Sequence, residues 1–530
     1  MVRILVADSL AEEGIARLRA AAGVEFDLRA GLPQGELAAA VAGYDGMVIR
    51  SGAKITAEVL ANPGRLRAIA RAGVGVDNVD LPAATRAGVL VMNTPDGNTL
   101  STAEHAFAML LALARNIPAA CADLKSGQWR RAQFEGSQLA GKALGIVGLG
   151  RIGRAVAARA LAFDMTVIAY DPFVSDATAL AGRVRIVASL ETLLAETDYL
   201  SVHAVMTDAT RGMIGREQLR HARRGLRIVN CARGGIVDEA ALQEALASGQ
   251  VAGAALDVFA AEPPPKDHPL VAHPRVVCTP HLGASTAEAQ TAVAVEAVDA
   301  LLDYLLRDAI RGACNLVGLP AAMGPRERAA ADLVGRMAVL LSVFCDAGVS
   351  RVTLETRGES LAGLAPALLR FALVSLLSRF SSGRINLVNV EEFARQRGIS
   401  VRHVARPETD GPAESLQLSA EHAGVSHDVA GAVQPAGPPR LLAIDGYPMN
   451  LVPTGTMLLI FNDDRPGVIG FVGTTLGNLN VNIADMALSR HANRALMVLK
   501  LDGPPPPAAI AALSAGPSIL SLKSATLPPV

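Results

Sequence analysis

"KALGIVGLGRIGRAVAARALAFDMTVIAYD" (142–171) decides the fold. The apolar run KALGIV leads into GLGRIG, which places glycines at 148, 150 and 153. A helical stretch, RIGRAVAARALAF, follows. A second apolar run then ends at Asp171, 23 residues after Gly148. In a chain with 49 glycines a lone GxGxxG says little. A strand before it, a helix after it and an acid closing the next strand together describe a dinucleotide-binding βαβ unit. Gly148 permits the tight turn, Gly150 lets backbone approach a pyrophosphate, and Gly153 lets helix and strand pack closely. The pyrophosphate then meets the free N–H groups of a helix N-terminus. Asp171 is placed to accept hydrogen bonds from a ribose and to repel a 2′-phosphate, which favours NAD over NADP.

Working outward, residues 1–98 alternate strands (VRILVAD, DGMVIR, LRAIARAG) with helices (AEEGIARLRAA, ITAEVLANP). Such alternation implies a parallel sheet covered by helices. Residues 98–117 read as a long apolar helix capped by Ser101 or Thr102, with Glu104 in its first turn. The unit containing GLGRIG runs to about 284, and a further helix (287–306) returns the chain. Residues 321–450 are mixed, with a Gly/Pro/His-rich loop or weak hairpin at 421–439. The last 75 residues read as a separate compact unit, strand–turn–helix–strand.

At 530 residues the chain exceeds one core, so three or four domains are expected. Hydrophobic residues make up 51%, and the net charge of −1 comes with no long charged block. That removes the electrostatic case for nucleic acid or a membrane surface as partner. Five scattered cysteines without a CxxC pair suit reduced thiols in the cytoplasm and offer no metal site. MVRILVADSLAEEG carries acids where a signal peptide is apolar, and AFAMLLALA (106–114) is shorter than the roughly 20 residues of a membrane span.

Three segments supply chemistry. NCARGGIVDEAAL (230–242) places Arg233 on a glycine turn after a buried strand, and ALDVFAAEP (255–263) places Glu262 after another. TPHLGAST (279–286) places His281 after a third. Ligands of open α/β sheets bind at such strand ends. Arginine can hold a carboxylate or carbonyl oxygen by paired hydrogen bonds. Histidine can move a hydroxyl proton, and glutamate can orient it and favour its charged form. The set suits hydride chemistry on a 2-hydroxy acid. His273, between turn residues, reads as structural, and His203 (LSVHAVM) as cofactor lining at most.

GLGRIG, NCARGGIVDEAAL, ALDVFAAEP and TPHLGASTAEAQ resemble the signatures of the D-isomer-specific 2-hydroxyacid dehydrogenases. RAGVGVDNVDLPAATRAGVLVMNTP (71–95), the length and the tail are similar to a long-type branch of that family. Its members oxidise 3-phospho-D-glycerate to 3-phosphooxypyruvate with NAD, the first step towards L-serine. The resemblance implies an α/β fold, with a Rossmann-like NAD-binding domain (99–284) inserted in a flavodoxin-like substrate domain (1–98 and 285–318). An α+β intervening regulatory domain (319–453) and a C-terminal ferredoxin-like ACT domain (454–530) follow. It makes Arg233, Glu262 and His281 catalytic. It lines NAD with Gly148, Gly150, Arg151, Ile152, Gly153, Asp171, Ala204, Cys231, Ala232, Arg233, Asp257, His281, Gly283 and Ala284.

Substrate contacts fall on Arg50 and Ser51 (VIRSGAKIT) and on Arg71, Gly73, Val74 and Gly75 (RAGVGV). Two arginines beside a glycine-rich turn can satisfy both a carboxylate and a phosphate. Arg130 and Arg131, in WRRAQF beside the only tryptophan, are read as reaching a phosphate in a neighbouring subunit of a homodimer or homotetramer. Val74 and Ala204 depart from the family's usual residues. FNDDRPGVIGFVGTTLGNLNVNIADM (461–486) resembles the opening of an ACT module, which makes Asp464 and Asn482 candidate contacts to the effector L-serine. Two other readings fit less well: a glyoxylate or hydroxypyruvate reductase, which usually stops near residue 320, and a nucleotide sensor lacking the catalytic set.

Overall fold

The computed structural model describes residues 1–530 except 175–179, 317, 321–322, 346–347, 382, 409–413, 435–436, 492 and 529–530. Among the described residues the strands form four sheets. The first contains β1 (Val2–Val6), β2 (Val24–Leu28), β3 (Gly46–Ile49), β4 (Ala68–Arg71) and β5 (Leu90–Met92). They are parallel in the order β2-β1-β3-β4-β5, the flavodoxin-like arrangement. Helix Ala287–Arg307 covers one face, its Val293, Val298 and Leu301 packing on Ile4, Val48 and Leu90.

The second sheet holds β6 (Ala143–Val147), β7 (Thr166–Tyr170), β8 (Arg185–Ile186), β9 (Tyr199–Val202), β10 (Leu226–Asn230), β11 (Val251–Leu256) and β12 (Val276–Cys278). Its order, β12-β11-β10-β9-β6-β7-β8, places the topological switch between β6 and β9, the crevice where doubly wound sheets bind nucleotides. Helix Thr99–Ala114 packs on this sheet through Ala103, Phe107 and Leu110. Ser101 and Thr102 do not cap it. Asn98 takes the cap position, and both hydroxyl residues lie buried in the first turn, facing the loop after β12.

Two expectations for the first unit change. Residues 55–63 form no helix. Ile55 is held in a bridge to Val79, only turns follow it, and Pro63 restricts the residue before it. The strands β2 and β5 escaped the sequence reading: β2 (VEFDL) carries Glu25 and Asp27 where buried parallel strands run continuously apolar, and β5 has only three residues.

The third sheet holds β13 (Arg351–Arg357), β14 (Ser400–Arg406), β15 (Glu414–His422), β16 (Val425–Val433), β17 (Arg440–Ile444) and β18 (Tyr447–Leu451), ordered β14-β13-β15-β16-β17-β18. The stretch 421–439, expected to be a loop or weak hairpin, holds the end of β15, the turn and all of β16, and the resulting hairpin of two nine-residue strands lies at the sheet's centre. Ala423 and Gly424, both at positive φ, make their two-residue turn. Residues Glu359–Phe380 are long and apolar enough to cross a membrane, and 61% of that window is buried. Its Arg370 is nearly covered and pairs with Glu391 at 2.7 Å.

The last sheet, β20-β21-β19-β22, holds β19 (Thr456–Asp463), β20 (Ile483–His491), β21 (Arg494–Leu501) and β22 (Ile519–Thr526). Helices Val468–Asn478 and Pro507–Ser514 complete a βαββαβ unit. The unit has a sheet of its own, and one face of that sheet packs against the third unit. Met457, Leu459, Leu496 and Val498 join the core of Leu333, Met337 and Leu354, because one sheet face is as apolar as the other.

Candidate active site

The cofactor loop follows from backbone geometry. Gly148 leaves β6 at φ +89°, and a β-carbon there would stand 2.9 Å from Ala204 N and the His203 carbonyl. A β-carbon on Gly153 would strike the Gly148 carbonyl, whereas at Gly150 it would meet nothing within 4 Å. The open space beside Gly150 adjoins the uncapped N-terminus of helix Arg151–Ala162, where free N–H groups await an anion. Asp171 closes β7. Its Oδ2 accepts from Leu149 N–H at 2.8 Å and Oδ1 from Phe173 N–H at 2.9 Å, which leaves lone pairs for a ribose. Arg151 pairs with Asp96 at 2.6 Å. These residues fit a dinucleotide.

Across the crevice, Asn230 shapes the turn after β10. Its amide donates to Arg233 O at 2.9 Å, and its oxygen accepts from Ala232 N–H at 3.1 Å. A β-carbon on Gly234 would collide with the Phe259 backbone, so the Arg233 turn lies against the loop that carries Glu262. Glu262 accepts from Phe259 N–H at 3.1 Å, and its other oxygen stands 2.7 Å from His281 Nδ1. Burial opposes its charge. The His281 ring and the Phe259 N–H outweigh that and hold the carboxyl below its ordinary range. With Nδ1 engaged, His281 keeps Nε2 for a substrate.

The first sheet brings its arginines to the same cleft. Arg71 is largely buried with an unpartnered Nε, as expected of a group awaiting an anion. Burial, and then the nearby charge of Arg233, lower it to about 10. Arg233 reaches over to donate from Nε to Asp77 at 2.8 Å, and its guanidinium lies where a β-carbon of Gly75 would be. Thr94 Oγ1 accepts from Gly73 N–H at 2.7 Å, and Val74 O accepts from Asn93 at 2.6 Å, so the 73–75 turn is braced. Asp8 accepts from Arg50 N–H at 2.6 Å, and the Arg50 side chain leans on Ser9 and Gln290. Ser51 is exposed at the rim.

Other candidates stand apart. His273 lies in the turn before β12 and accepts from Arg275 N–H at 3.2 Å. His203 Nε2 stands 2.8 Å from Ser201 Oγ, and burial lowers the ring to about 4. Arg130 is held by Asp123 at 2.7 Å beside Trp129, which is 81% exposed. Asp464 pairs with Arg490 at 3.2 Å and Asn482 donates to Asp502 at 2.8 Å. The two flank opposite ends of helix Val468–Asn478, so within one chain they do not meet.

Sequence reasoning missed Asp77 and His105. The acid set among glycines in GVGVDNVD was the available signal for Asp77. His105 lay hidden on a helix face.

A parallel switch point with an arginine, a glutamate and a histidine on its strand ends defines an NAD-dependent dehydrogenase of 2-hydroxy acids. Residues 107–283 match the D-isomer specific 2-hydroxyacid dehydrogenase NAD binding domain, 330–445 the D-3-phosphoglycerate dehydrogenase intervening domain and 456–515 the ACT domain. The chain is 39% identical to D-3-phosphoglycerate dehydrogenase of Archaeoglobus fulgidus over 96% of both chains. It is 37% identical to that of Bacillus subtilis over 100% of both. Among solved structures, the TT0316 protein from Thermus thermophilus is 39% identical with a TM-score of 0.53, covering 58% of this chain and 98% of its own. An NAD-dependent formate dehydrogenase from Staphylococcus aureus in complex with NAD is 30% identical, with a TM-score of 0.52, covering 58% of this chain and 97% of its own. The chain belongs to the D-3-phosphoglycerate dehydrogenase family.

Proposed function

We propose that the chain oxidises 3-phospho-D-glycerate to 3-phosphooxypyruvate, the reaction that opens L-serine synthesis. The observation that carries this reading is the convergence of Arg50, Arg71 and Arg233 beside the His281–Glu262 pair. Arg233 orients the carboxylate and C2 oxygen, and Arg71, with the N–H groups of Val74 and Gly75 and with Arg50, takes the remaining anionic charge. His281 Nε2 accepts the C2 hydroxyl proton as the C2–H bond gives up its electron pair, and Glu262 stabilises the imidazolium. NAD, when bound along Gly148–Gly153 and Asp171, supplies the hydride acceptor. Asp171 excludes a 2′-phosphate.

We assign residues 1–98 and 285–318 to the substrate domain, 99–284 to the cofactor domain, 319–453 to the intervening domain and 454–530 to the ACT domain. The work is cytoplasmic, in a homodimer or homotetramer paired through the cofactor domain, with no nucleic acid or membrane partner. Exposed Trp129, Ile117 and Leu124 on that domain support pairing there. L-serine binds where Asp464 of one ACT unit meets Asn482 of another, since one chain keeps the two apart, and it favours a less active oligomer.

The test compares Arg71→Ala on the phosphorylated acid and on a truncated hydroxy acid. A larger rise in KM for the phosphorylated substrate is expected. An equal rise assigns Arg71 to the carboxylate instead.

A further inference from the structure

Asp257 directly follows β11, with its carboxylate fully covered. Oδ1 accepts from Thr279 Oγ1 at 2.6 Å and from Leu282 N–H at 2.7 Å, and Oδ2 accepts from Gly283 N–H at 2.9 Å. Its backbone carbonyl takes the His281 N–H at 2.9 Å. One residue thereby fixes three consecutive N–H groups of the loop that carries the proton acceptor. The loop needs that hold, because His281 sits at φ +57°, a backbone state that side-chain-bearing residues disfavour.

The carboxylate is itself held from the other side. His105 Nε2 stands 3.2 Å from Asp257 Oδ1 and 3.1 Å from Thr279 Oγ1. Burial works against the charge of Asp257, yet the bonds from His105, Thr279 and Leu282 outweigh it and keep the carboxyl below its ordinary range. An ionised carboxylate only accepts, so Nε2 of His105 carries the proton it shares with Asp257 and Thr279. Cys231 is in the same cluster. Burial, then the charge of Asp257, push its thiol well up, so it stays a neutral neighbour.

His105 also shares a helix face with Ser101, one turn earlier, whose hydroxyl donates to Gly283 O at 2.8 Å. Between them, a β-carbon on Gly283 would come within 3.3 Å of the Thr102 methyl and 3.4 Å of Asp257 Oδ2. The start of helix Thr99–Ala114 is thus a seat for residues 281–283. That use explains why its hydroxyl residues are buried instead of capping the helix.

We infer that His105 is a positioning residue of the reaction: it locks the Asp257 carboxylate in the orientation that sets the 281–283 loop, and so aims His281 into the cleft. This rests on the reading of His281 as the proton acceptor. His105 touches neither substrate nor any reacting atom.

The experiment makes His105→Leu and His105→Gln in the full chain, with Thr279→Val removing the other side-chain bond to Oδ1. Turnover is measured on whichever hydroxy acid the unaltered chain oxidises, so a substrate other than phosphoglycerate would defeat the proposed substrate and leave this test intact. His105→Leu is expected to lower kcat about 10- to 100-fold, the scale of a misplaced catalytic group. It is also expected to raise the solvent deuterium isotope effect on kcat, while the Kd for NADH in a fluorescence titration moves less than about threefold. His105→Gln keeps an N–H donor and should recover most of kcat, and Thr279→Val should share the isotope signature. The inference is overturned if His105→Leu keeps kcat within about twofold while only its melting temperature falls. It is equally overturned if the glutamine variant is as impaired as the leucine one, or if kcat and the Kd for NADH move by the same factor.

Discussion

Replacing Gly75 with alanine tests whether Arg233 works from the position it occupies here. Gly75 has an unstrained backbone, so alanine costs little there by conformation alone. Its β-carbon, however, would fall inside the Arg233 guanidinium. The guanidinium would have to retreat on the order of 2 Å before a methyl carbon reached ordinary contact distance. A shift of that size breaks the 2.8 Å bond to Asp77 and spoils one charged hydrogen bond to the substrate. Such a bond contributes about 1.5–3 kcal/mol, a loss of roughly 10- to 150-fold in kcat/KM for the hydroxy acid. Gly150→Ala is the counterpart. It meets no protein atom within 4 Å and so leaves the fold alone, but its methyl fills the space beside the helix N-terminus. It should raise the KM for NAD and spare that for the acid. Steady-state kinetics with each substrate varied in turn separates the two. If Gly75→Ala left kcat/KM for the acid within about twofold, Arg233 would not act from this position.

His281→Ala should lower kcat by about 10²–10⁴-fold with NAD affinity nearly unchanged, while His273→Ala, confined to a turn, stays silent; equal behaviour of the two in a turnover assay would refute the assignment. Asp171→Asn should admit NADP, and a chain that already used both cofactors equally would remove the reason. His203 gives a pH dependence of stability. Its buried ring refuses the proton that the unfolded ring takes, so stability is full above pH 6.5 and is lost as pH falls towards about 4. The drop from 6.5 to about 4 amounts to at most about 3 kcal/mol, and His203→Asn should flatten thermal melts across that window. Serine titrated against the full chain, a chain ending near 320 and Asp464→Ala should inhibit the first alone. Calorimetry showing no serine binding to the intact protein would eliminate the site.

The parts legible in the sequence were those whose residue type is forced by backbone geometry or by chemistry. Gly148 and Gly153 can be nothing larger, and Arg233, Glu262 and His281 each follow a strand whose apolar run marks its end. Contacts between distant segments were harder to see. Asp77 meets Arg233 across 156 positions and His105 meets Thr279 across 174, and neither separation leaves a local pattern. Ser101 looked like a cap because hydroxyl residues near a helix start usually are. In the fold its bond goes to Gly283, a use only the packed structure reveals. The helix at 55–63 failed for a related reason, because the bridge from Ile55 to Val79 and the proline at 63 outweighed an apolar spacing of a few residues.

We propose oxidation of a phosphorylated 2-hydroxy acid with NAD at the His281–Glu262 pair between three arginines. Its most direct test measures kcat/KM of the intact protein with NAD on 3-phospho-D-glycerate, D-glycerate and D-lactate, and in reverse on glyoxylate and hydroxypyruvate. The arginine cluster leads us to expect a preference for the phosphorylated acid of at least about 100-fold, since each charged contact withheld costs about 1.5–3 kcal/mol. Comparable turnover of D-glycerate, or faster reduction of glyoxylate, would contradict it.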